Sequence, residues 1–290
     1  MLYKFTGAGN NFVVIDGRKG DVTEYRQVPR IQELCARHHT DGLMILTTPG
    51  SADFVMDFFN PDGSGGMMCG NGGRCIVAFA DYLGLKPAAA DGTWHFIAPD
   101  GPHEAKIIDS SEGTLSCKPV ATLGHIRGRG PSKMGGVAKR RFEGESTLRN
   151  WTVRLKMIDV LGVTPIKNGY FLNTGTRHYV EFRDRVDGID MEKEAKPLRW
   201  DPAFQPEGTN VNFVERTEEG LKVRTFEKGV EGETLACGTG ITACAIAFGA
   251  PTRLQCRRGD WLSVDFKKEG PERFTDVFLT GPAELVEILP

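Results

Sequence analysis

The chain has 290 residues, of which 40% are hydrophobic and 26% charged, with a formal net charge of −2 and an isoelectric point near 6.3. This composition is typical of a globular protein, and the length allows two domains of ordinary size. The charge gives no overall electrostatic reason to bind nucleic acid or a membrane. No apolar run approaches the roughly 20 residues that span a bilayer, and the N-terminus lacks the basic start and apolar core of a signal peptide.

The first half of the chain is predicted to consist mainly of short strands. Apolar runs at residues 2–5 and 12–15 flank a glycine-rich turn at residues 6–11. No helix is expected directly after this turn, so it does not match a dinucleotide-binding loop. A short helix is expected at residues 32–39. Further strands are expected at residues 43–47, 54–58, 94–97 and 104–108.

The strand at residues 54–58 leads into a glycine-rich loop that contains Cys-Gly-Asn-Gly at residues 69–72. An apolar run follows, and we expect a helix there with Asn71 as its N-cap and Gly84 as its C-terminal stop. Cys69 then lies just ahead of a helix N-terminus. The unpaired N–H groups and the positive dipole end at such a position lower the pKa of a thiol and bind carboxylate or phosphate groups.

The composition changes at residues 124–141, which contain several glycines, six basic residues and no acidic residue. This pattern is typical of a loop or an interdomain connection. Binding of phosphate or nucleic acid is an alternative, although no aromatic side chain accompanies the charges.

The second half repeats the style of the first. Residues 208–214 echo residues 9–13, so an asparagine-containing turn is duplicated. A turn at residues 281–282 is expected just before the last strand. Strands are expected at residues 170–173, 179–182, 221–226, 261–266, 276–279 and 284–288.

A larger repeat relates the two halves at one constant offset. Phe58 aligns with Phe226, and Cys-Gly-Asn-Gly at residues 69–72 aligns with Cys-Gly-Thr-Gly at residues 237–240, with an apolar run of small residues after each. Thr239 is therefore expected to cap the second central helix. The repeat predicts an α+β fold of two pseudo-symmetric halves, each a curled, mostly antiparallel sheet around a central helix.

The paired thiols of Cys69 and Cys237 indicate a chemistry. If the halves pack about a pseudo-two-fold axis, the thiols face each other across a cleft. A substrate carboxylate held by both helix ends then has a thiol on each side of its α-carbon. One thiolate takes the α-proton and the opposite thiol returns one, as in a racemase or epimerase that needs no cofactor.

Other interpretations of these cysteines remain open. Cysteines often pack as small buried hydrophobes, and a thiol-based redox or binding protein without turnover also fits the pattern. Zinc binding is disfavoured, because Cys75 and Cys244 do not follow Cys69 and Cys237 at the short spacing of zinc ligands. Seven cysteines, an odd number, argue against a disulfide framework and favour a reducing, cytoplasmic location.

Five sequence blocks, taken in order, resemble the diaminopimelate epimerase family: residues 7–16, 60–75, 209–213, 227–240 and 279–283. The resemblance implies the two-half fold described above. It also implies a two-base epimerisation that interconverts LL- and meso-diaminopimelate, with Cys69 and Cys237 as the thiol pair and without PLP, any other cofactor or a metal. The alternative is a PLP-independent racemase of another amino acid in the same superfamily.

The resemblance further implies which residues contact the substrate: Asn10, Asn60, Gly70, Asn71, Asn210, Glu227, Lys228, Gly238 and Thr239. Backbone amides at residues 70–71 and 238–239 are expected to hold the carboxylate at the reacting centre. Asn10 and Glu227 are expected near the reacting amino group. His178 and Glu227 stand where the family has acid or base groups close to the thiols.

At the distal end of the substrate, which Asn60 and Asn210 are expected to contact, the chain departs from the family pattern. Thr176 and Arg177 stand where the family has Asn and Pro, and Lys228 stands where it has Arg. A lysine offers a point charge where an arginine offers a fork. We therefore hypothesise that Arg177 supplies the missing guanidinium.

The N-terminal half is predicted to comprise residues 1–120 plus 277–290 and to carry Cys69. The C-terminal half is predicted to comprise residues 121–276 and to carry Cys237. The expected partner is a small diamino dicarboxylate substrate, with no nucleic acid and no membrane. Because the family often forms dimers, a homodimer is a further expectation.

Overall fold

The computed structural model describes residues 1–48, 50, 52–66, 68–112 and 149–289, so the basic segment at residues 124–141 lies outside the described part. The α-helices in the described residues are α1 (Val28–His38), α2 (Gly70–Tyr82), α3 (Met191–Arg199) and α4 (Gly238–Phe248). The strands in the same residues are β1 (Leu2–Gly7), β2 (Asn10–Asp16), β3 (Gly42–Thr47), β4 (Phe54–Phe59), β5 (Thr93–Ala98), β6 (Gly101–Glu112), β7 (Arg149–Lys156), β8 (Val160–Leu161), β9 (Thr164–Ile166), β10 (Gly169–Asn173), β11 (Arg177–Phe182), β12 (Asn210–Thr217), β13 (Gly220–Glu227), β14 (Gly232–Thr234), β15 (Thr252–Gln255), β16 (Trp261–Lys268) and β17 (Arg273–Leu289). Within this described part, no helix has the length and apolar character needed to cross a membrane.

The first half is a closed sheet around α2. Strands β1 to β7 pair in chain order, and the second part of β17 pairs with both β7 and β1, which closes the ring. The helix fills the interior: the ring of Phe79 lies 5.6 Å from that of Phe5 and 5.0 Å from that of Tyr3. Burying side chains of this size contributes roughly 2–3 kcal/mol each. The first half therefore has its core inside the sheet.

The second half curls in the same way around α4. Strands β9 to β13 continue through β15 and β16 to the first part of β17, and β8 pairs on the other side of β17. The buried side chains of Ile241 and Ile246 on α4 pack with Val180, Leu254 and Val264 of the surrounding strands. This second core is separate from the first.

Strand pairing follows one pattern in both halves. The pairs β2–β3 and β4–β5 are parallel in the first sheet, and β11–β12 and β13–β15 are parallel in the second. Parallel neighbours need a crossover connection, which α1 and α2 supply in the first half and α3 and α4 in the second. The predicted α+β fold of two similar halves is confirmed, and so is the internal repeat.

The predicted turn at residues 281–282 is wrong, because β17 runs straight through these positions. Its residues up to Thr280 pair with β16, and its residues from Gly281 onward pair with β7. The carbonyl oxygen of Pro282 accepts a hydrogen bond from the side chain of Arg74 at 3.2 Å. The strand thus passes from one sheet to the other where local turn chemistry indicated a reversal.

The predicted division into two halves stays a prediction, since its boundary at residue 121 lies outside the described residues. Strand β7 packs Trp151, Val153 and Leu155 into the first core, although the prediction assigned these residues to the second half. Helix α3 was not predicted because Pro197 lies inside it. Helix α1 begins four residues earlier than expected, with Pro29 in its first turn, where the missing N–H costs nothing.

Candidate active site

The two cysteines of the repeat cap the two central helices. Cys69 is the N-cap of α2, and its Sγ accepts a hydrogen bond from the N–H of Gly72 at 3.2 Å. Cys237 is the N-cap of α4. The expected caps, Asn71 and Thr239, are therefore wrong: each lies inside the first helical turn. The sulfur of Cys69 takes the place of the oxygen that usually accepts this bond.

The two helix starts meet at a pair of glycines. A Cβ added to Gly238 would lie 3.3 Å from the Cα of Gly70, and one added to Gly70 would lie 3.6 Å from the Cα of Gly238. Leu279 of β17 lies 3.1 and 3.2 Å from these two positions. This close approach brings two helix N-termini, each with a thiol at its cap, to one junction. The positive ends of both helix dipoles point at it.

Asn71 joins the halves at this junction. Its Nδ2 donates to Oδ1 of Asn10 and, at 3.5 Å, to the carbonyl oxygen of Ala236, which directly precedes Cys237. Asn10 in turn donates to Asp41 at 3.2 Å. The structure therefore brings Asn10 and Asn71 together beside Cys237, and their contact with the substrate stays a prediction.

Arg74 underlies the same junction and was given no role by the sequence analysis. Its side chain is fully buried. The guanidinium donates to the carbonyl oxygen of Gly70 at 3.1 Å, to Oδ1 of Asn71 at 2.8 Å and to the carbonyl oxygen of Pro282 at 3.2 Å. A charged residue inside an apolar helical run is the signal that identifies such a position, because a buried charge needs partners.

On the other side of the junction, a chain of polar groups leads away from Cys237. Its Sγ lies 3.4 Å from Oγ1 of Thr239. This hydroxyl lies 3.0 Å from both Nε2 of His178 and Oγ1 of Thr176, and those two atoms are 2.9 Å apart. The hydroxyl of Thr239 thus lies between His178 and Cys237 and contacts both.

Asn212, which the sequence analysis did not select, sets the tautomer of His178. Its Oδ1 accepts from the hydroxyl of Thr225 at 2.9 Å, and its Nδ2 donates to the carbonyl oxygen of Tyr179 at 3.0 Å. The same Nδ2 faces Nδ1 of His178 at 3.0 Å, so Nδ1 accepts and the ring proton is on Nε2. Burial lowers the pKa of His178 to about 3, which keeps the imidazole neutral near pH 7.

His178 should make the protein less stable in acid. Its pKa is lowered from 6.5 to about 3 on folding, so below about pH 6.5 the unfolded chain binds a proton that the folded chain does not. As the pH falls from 6.5 to about 3, we expect this residue to reduce the free energy of unfolding by up to about 1.4 kcal/mol per pH unit. The measurement is urea denaturation of the unaltered protein and of His178→Gln at several pH values.

The matched control for this prediction is His95→Gln, which changes an exposed histidine on β5. The difference in unfolding free energy between the unaltered protein and His178→Gln should shrink as the pH falls. A difference that is constant with pH would contradict the buried neutral imidazole.

The pKa of each thiol is raised, not lowered as the sequence indicated. Burial is the main cause at Cys69, where the N–H of Gly72 and the charge of Arg74 act in the opposite direction and Glu227 adds to the rise. Burial and then Glu227 raise the pKa of Cys237, opposed by the hydroxyl of Thr239 and by the N–H of Gly240. The expectation from a helix N-terminus alone was wrong, because removal from water outweighs the dipole.

Asn210 connects the residues expected at the distal end. Its Nδ2 donates to the carbonyl oxygen of Arg177 at 2.9 Å and to Oγ1 of Thr176 at 3.3 Å, and its Oδ1 accepts from the N–H of Lys228 at 2.8 Å. The guanidinium of Arg177 is ion-paired with Glu207, which the sequence analysis did not select. Arg177 thus already has a carboxylate partner.

Asn60 is placed differently from the other selected asparagines. Its Nδ2 donates to Oγ of Ser64 at 3.0 Å, and its N–H donates to the carbonyl oxygen of the same residue at 2.9 Å. These bonds close the loop that follows β4. The hydrogen bonds described for Asn60 do not connect it to either cysteine, and its role stays a prediction.

Two similar lobes, each with a helix inside a curled sheet, define a class of two-lobed proteins. A solved member is a phenazine biosynthesis protein of the PhzF family from Bacillus anthracis. It has a TM-score of 0.63 and 11% sequence identity, covering 100% of this chain and 98% of that one. At this identity the likeness shows the shared fold alone.

Within this class, the chain belongs to the diaminopimelate epimerase family. The family's sequence profile matches residues 2–113 and 170–283. A relative named diaminopimelate epimerase from Flavobacterium psychrophilum is 35% identical over 98% of this chain and 97% of its own length. A relative with the same name from Chlorobaculum tepidum is 33% identical over 97% of both. The family membership predicted from the sequence is confirmed.

Proposed function

We propose that the protein interconverts LL- and meso-diaminopimelate by a two-base epimerisation at the junction of the two halves, without a cofactor. The observation that carries this proposal is the meeting of two thiol-capped helix starts at Gly70 and Gly238. Membership of the diaminopimelate epimerase family supports the choice of substrate.

The reaction needs one thiolate and one thiol. The thiolate takes the α-proton, so the C–H bond breaks, an S–H bond forms and the electron pair passes to the α-carbon and its carboxylate. The opposite thiol gives its proton to the other face, so a new C–H bond forms and that sulfur becomes the thiolate. Cys69 and Cys237 exchange roles in each turnover, and the next substrate of the opposite configuration restores them.

The helix starts stabilise the negative charge that develops on the carboxylate. In an α-helix the first N–H groups have no intrahelical acceptor, and here two such sets converge at residues 70–71 and 238–239. Preorganised donors of this kind contribute about 3 kcal/mol each where charge develops in the transition state. The neutral Nε2–H of His178 stabilises the hydroxyl of Thr239, which in turn donates to the Cys237 sulfur.

The distal carboxylate is bound by Lys228 and Arg177, which Asn210 holds through their backbones. A substrate carboxylate exchanges with Glu207 for the guanidinium of Arg177. The distal ammonium group then has the released carboxylate of Glu207 as its partner. This arrangement supplies the fork that a lysine alone does not.

Arg177→Ala should raise KM for diaminopimelate several-fold with little change in kcat, because the lost contact is far from the reacting carbon. Glu207→Gln is the companion variant: it keeps the guanidinium but removes the carboxylate assigned to the distal ammonium group, so it should raise KM as well. Steady-state kinetics on both variants make the comparison. An unchanged KM in Arg177→Ala would remove this residue from the distal site.

The experiment that tests the proposed function uses reduced protein in D₂O with LL-diaminopimelate, followed by NMR. Deuterium at the α-carbon together with meso product is the expected result. If this exchange is absent but occurs with another amino acid from a panel of basic and diamino acids, the protein is a PLP-independent racemase of that substrate. Thr176, Arg177 and Lys228, which depart from the family pattern, are the residues that favour testing this alternative.

A further inference from the structure

We propose that the two thiols are unequal in the free protein: Cys69 loses its proton first, and the buried guanidinium of Arg74 is the positioning residue that makes it so. The inference rests on the proposed function for its catalytic meaning, because the reaction needs one thiol ionised and one protonated. It is drawn from the surroundings of each sulfur.

The two cysteines differ as helix caps. The Cys69 sulfur accepts a backbone hydrogen bond from Gly72 at 3.2 Å, within the geometry of a true N-cap. At Cys237 no side-chain cap bond is formed in the described residues of α4; the hydroxyl of Thr239 lies 3.4 Å from its Sγ and favours ionisation more than the N–H of Gly240 does. A backbone N–H at the helix start, which carries part of the helix dipole, is therefore the main hydrogen-bond partner of Cys69 but not of Cys237.

A full positive charge adds to this difference. Arg74 is the fifth residue of α2 and donates to the carbonyl oxygen of Gly70, the residue directly after Cys69. Its charge favours the ionised form of Cys69, whereas the group at the end of the Cys237 hydroxyl chain is the neutral imidazole of His178. The charge of Arg74 thus acts on Cys69 in the same direction as the N–H of Gly72, which has the larger effect.

Arg74 also fixes the amide of Asn71. Because the guanidinium takes Oδ1 of Asn71, the NH₂ group of that amide points to Asn10 and to Ala236. The guanidinium of Arg74 thus orients the Asn71 amide, which bridges the two halves, and also places a positive charge near Cys69. Its third bond, to Pro282 on β17, holds it in place.

The remaining titratable groups near Arg74 and the two thiols do not change which thiol ionises first. Glu227 opposes ionisation of both thiols, so it acts on each with the same sign. The other groups that act on Arg74 are Cys75, Cys256 and Asp260. Burial raises the pKa of Cys75 and Cys256, so these thiols are neutral near pH 7. The net effect is a free protein in which the first proton leaves from Cys69.

The test is the rate of alkylation of each cysteine by iodoacetamide, read by peptide mass spectrometry from neutral to alkaline pH. The midpoint of each rate profile reports the ionisation of that sulfur and does not depend on how easily the reagent reaches it. We expect a lower midpoint for Cys69 than for Cys237, by about one unit or more, which is a tenfold difference in thiolate fraction at a given pH. A lower midpoint for Cys237 would overturn the proposal.

Two variants of Arg74 separate the effect of its positive charge from the effect of its side-chain packing. Arg74→Met should move the Cys69 midpoint upward and leave that of Cys237 nearly unchanged, and Arg74→Lys should retain most of the effect. An unchanged Cys69 midpoint in a folded Arg74→Met protein would remove Arg74 from this role. The measurement on the unaltered protein needs no variant, so it decides the order of the thiols even if Arg74→Met does not fold. Alkylation needs no turnover, so a protein that fails to epimerise diaminopimelate but ionises at Cys69 first still supports the inference.

Discussion

Cys69→Ser and Cys237→Ser should each reduce the rate of epimerisation by about a thousandfold or more. A positioned acid or base contributes roughly 10²–10⁴-fold, and a serine hydroxyl is not ionised at neutral pH to the extent that a thiol is. In the proposed mechanism both groups act in every turnover, one to remove the proton and one to return it. The removal of either should therefore stop the reaction almost completely. The measurement is the rate of α-deuterium incorporation and of meso product formation in D₂O.

The matched control for these variants is Cys35→Ala, which removes a buried cysteine of α1, outside both central helices. We expect this change to cost some stability but to leave kcat close to that of the unaltered protein. A serine variant at either residue 69 or residue 237 that retains near-normal epimerisation would contradict the two-base mechanism. If Cys35→Ala lost as much epimerisation activity as the serine variants, the loss in those variants would be due to disturbed packing.

Gly240→Ala should be far more damaging than Gly72→Ala, although the two glycines occupy the same position of the repeat. A Cβ at Gly240 would lie 2.6 Å from Oδ1 of Asn212 and 3.3 Å from Oγ1 of Thr225. Asn212 cannot yield, because its amide is fully engaged with Thr225, Tyr179 and His178. Overpacking and the loss of a buried hydrogen bond together should cost about 3 kcal/mol of unfolding free energy.

At Gly72, by contrast, a Cβ would meet the Sγ of Cys69 at 3.2 Å and the Sδ of Met44 at 3.4 Å. The methionine side chain is flexible and yields easily, and alanine gains helix propensity over glycine. We expect a loss of about 1 kcal/mol or less. Urea denaturation of the two variants measures the difference. Similar losses in both would contradict the claim that the Asn212 network is rigid.

The repeat is the feature that the sequence analysis could predict. Phenylalanine, cysteine and glycine at one constant offset are a local pattern, and the two curled sheets around two central helices follow from it. The meeting of Cys69 and Cys237 at one junction follows as well, since equivalent elements in a pseudo-symmetric pair face each other. These predictions required only the spacing of residues along the sequence, which is the same in the two halves.

Contacts between distant segments were beyond the sequence analysis. Arg74 binds Pro282, which is 208 residues away in the sequence. Arg177 at the start of β11 binds Glu207, which lies in the connection between α3 and β12. The continuous path of β17 through Gly281 depends on partners in two different sheets, which local turn chemistry does not reveal. The raised pKa of each thiol depends on burial, which is a property of the packed molecule.

The shared strand β17 also determines the order in which this protein can be completed as it is made. The first sheet stays open between β1 and β7 until residues 281–289 arrive, long after its other strands have left the ribosome. Until then two strand edges are exposed, and such edges invite pairing with other chains. Neither sheet closes without β17, so the junction of the two thiols depends on this strand being paired in both sheets. A chain that has not yet added these residues therefore has no assembled site.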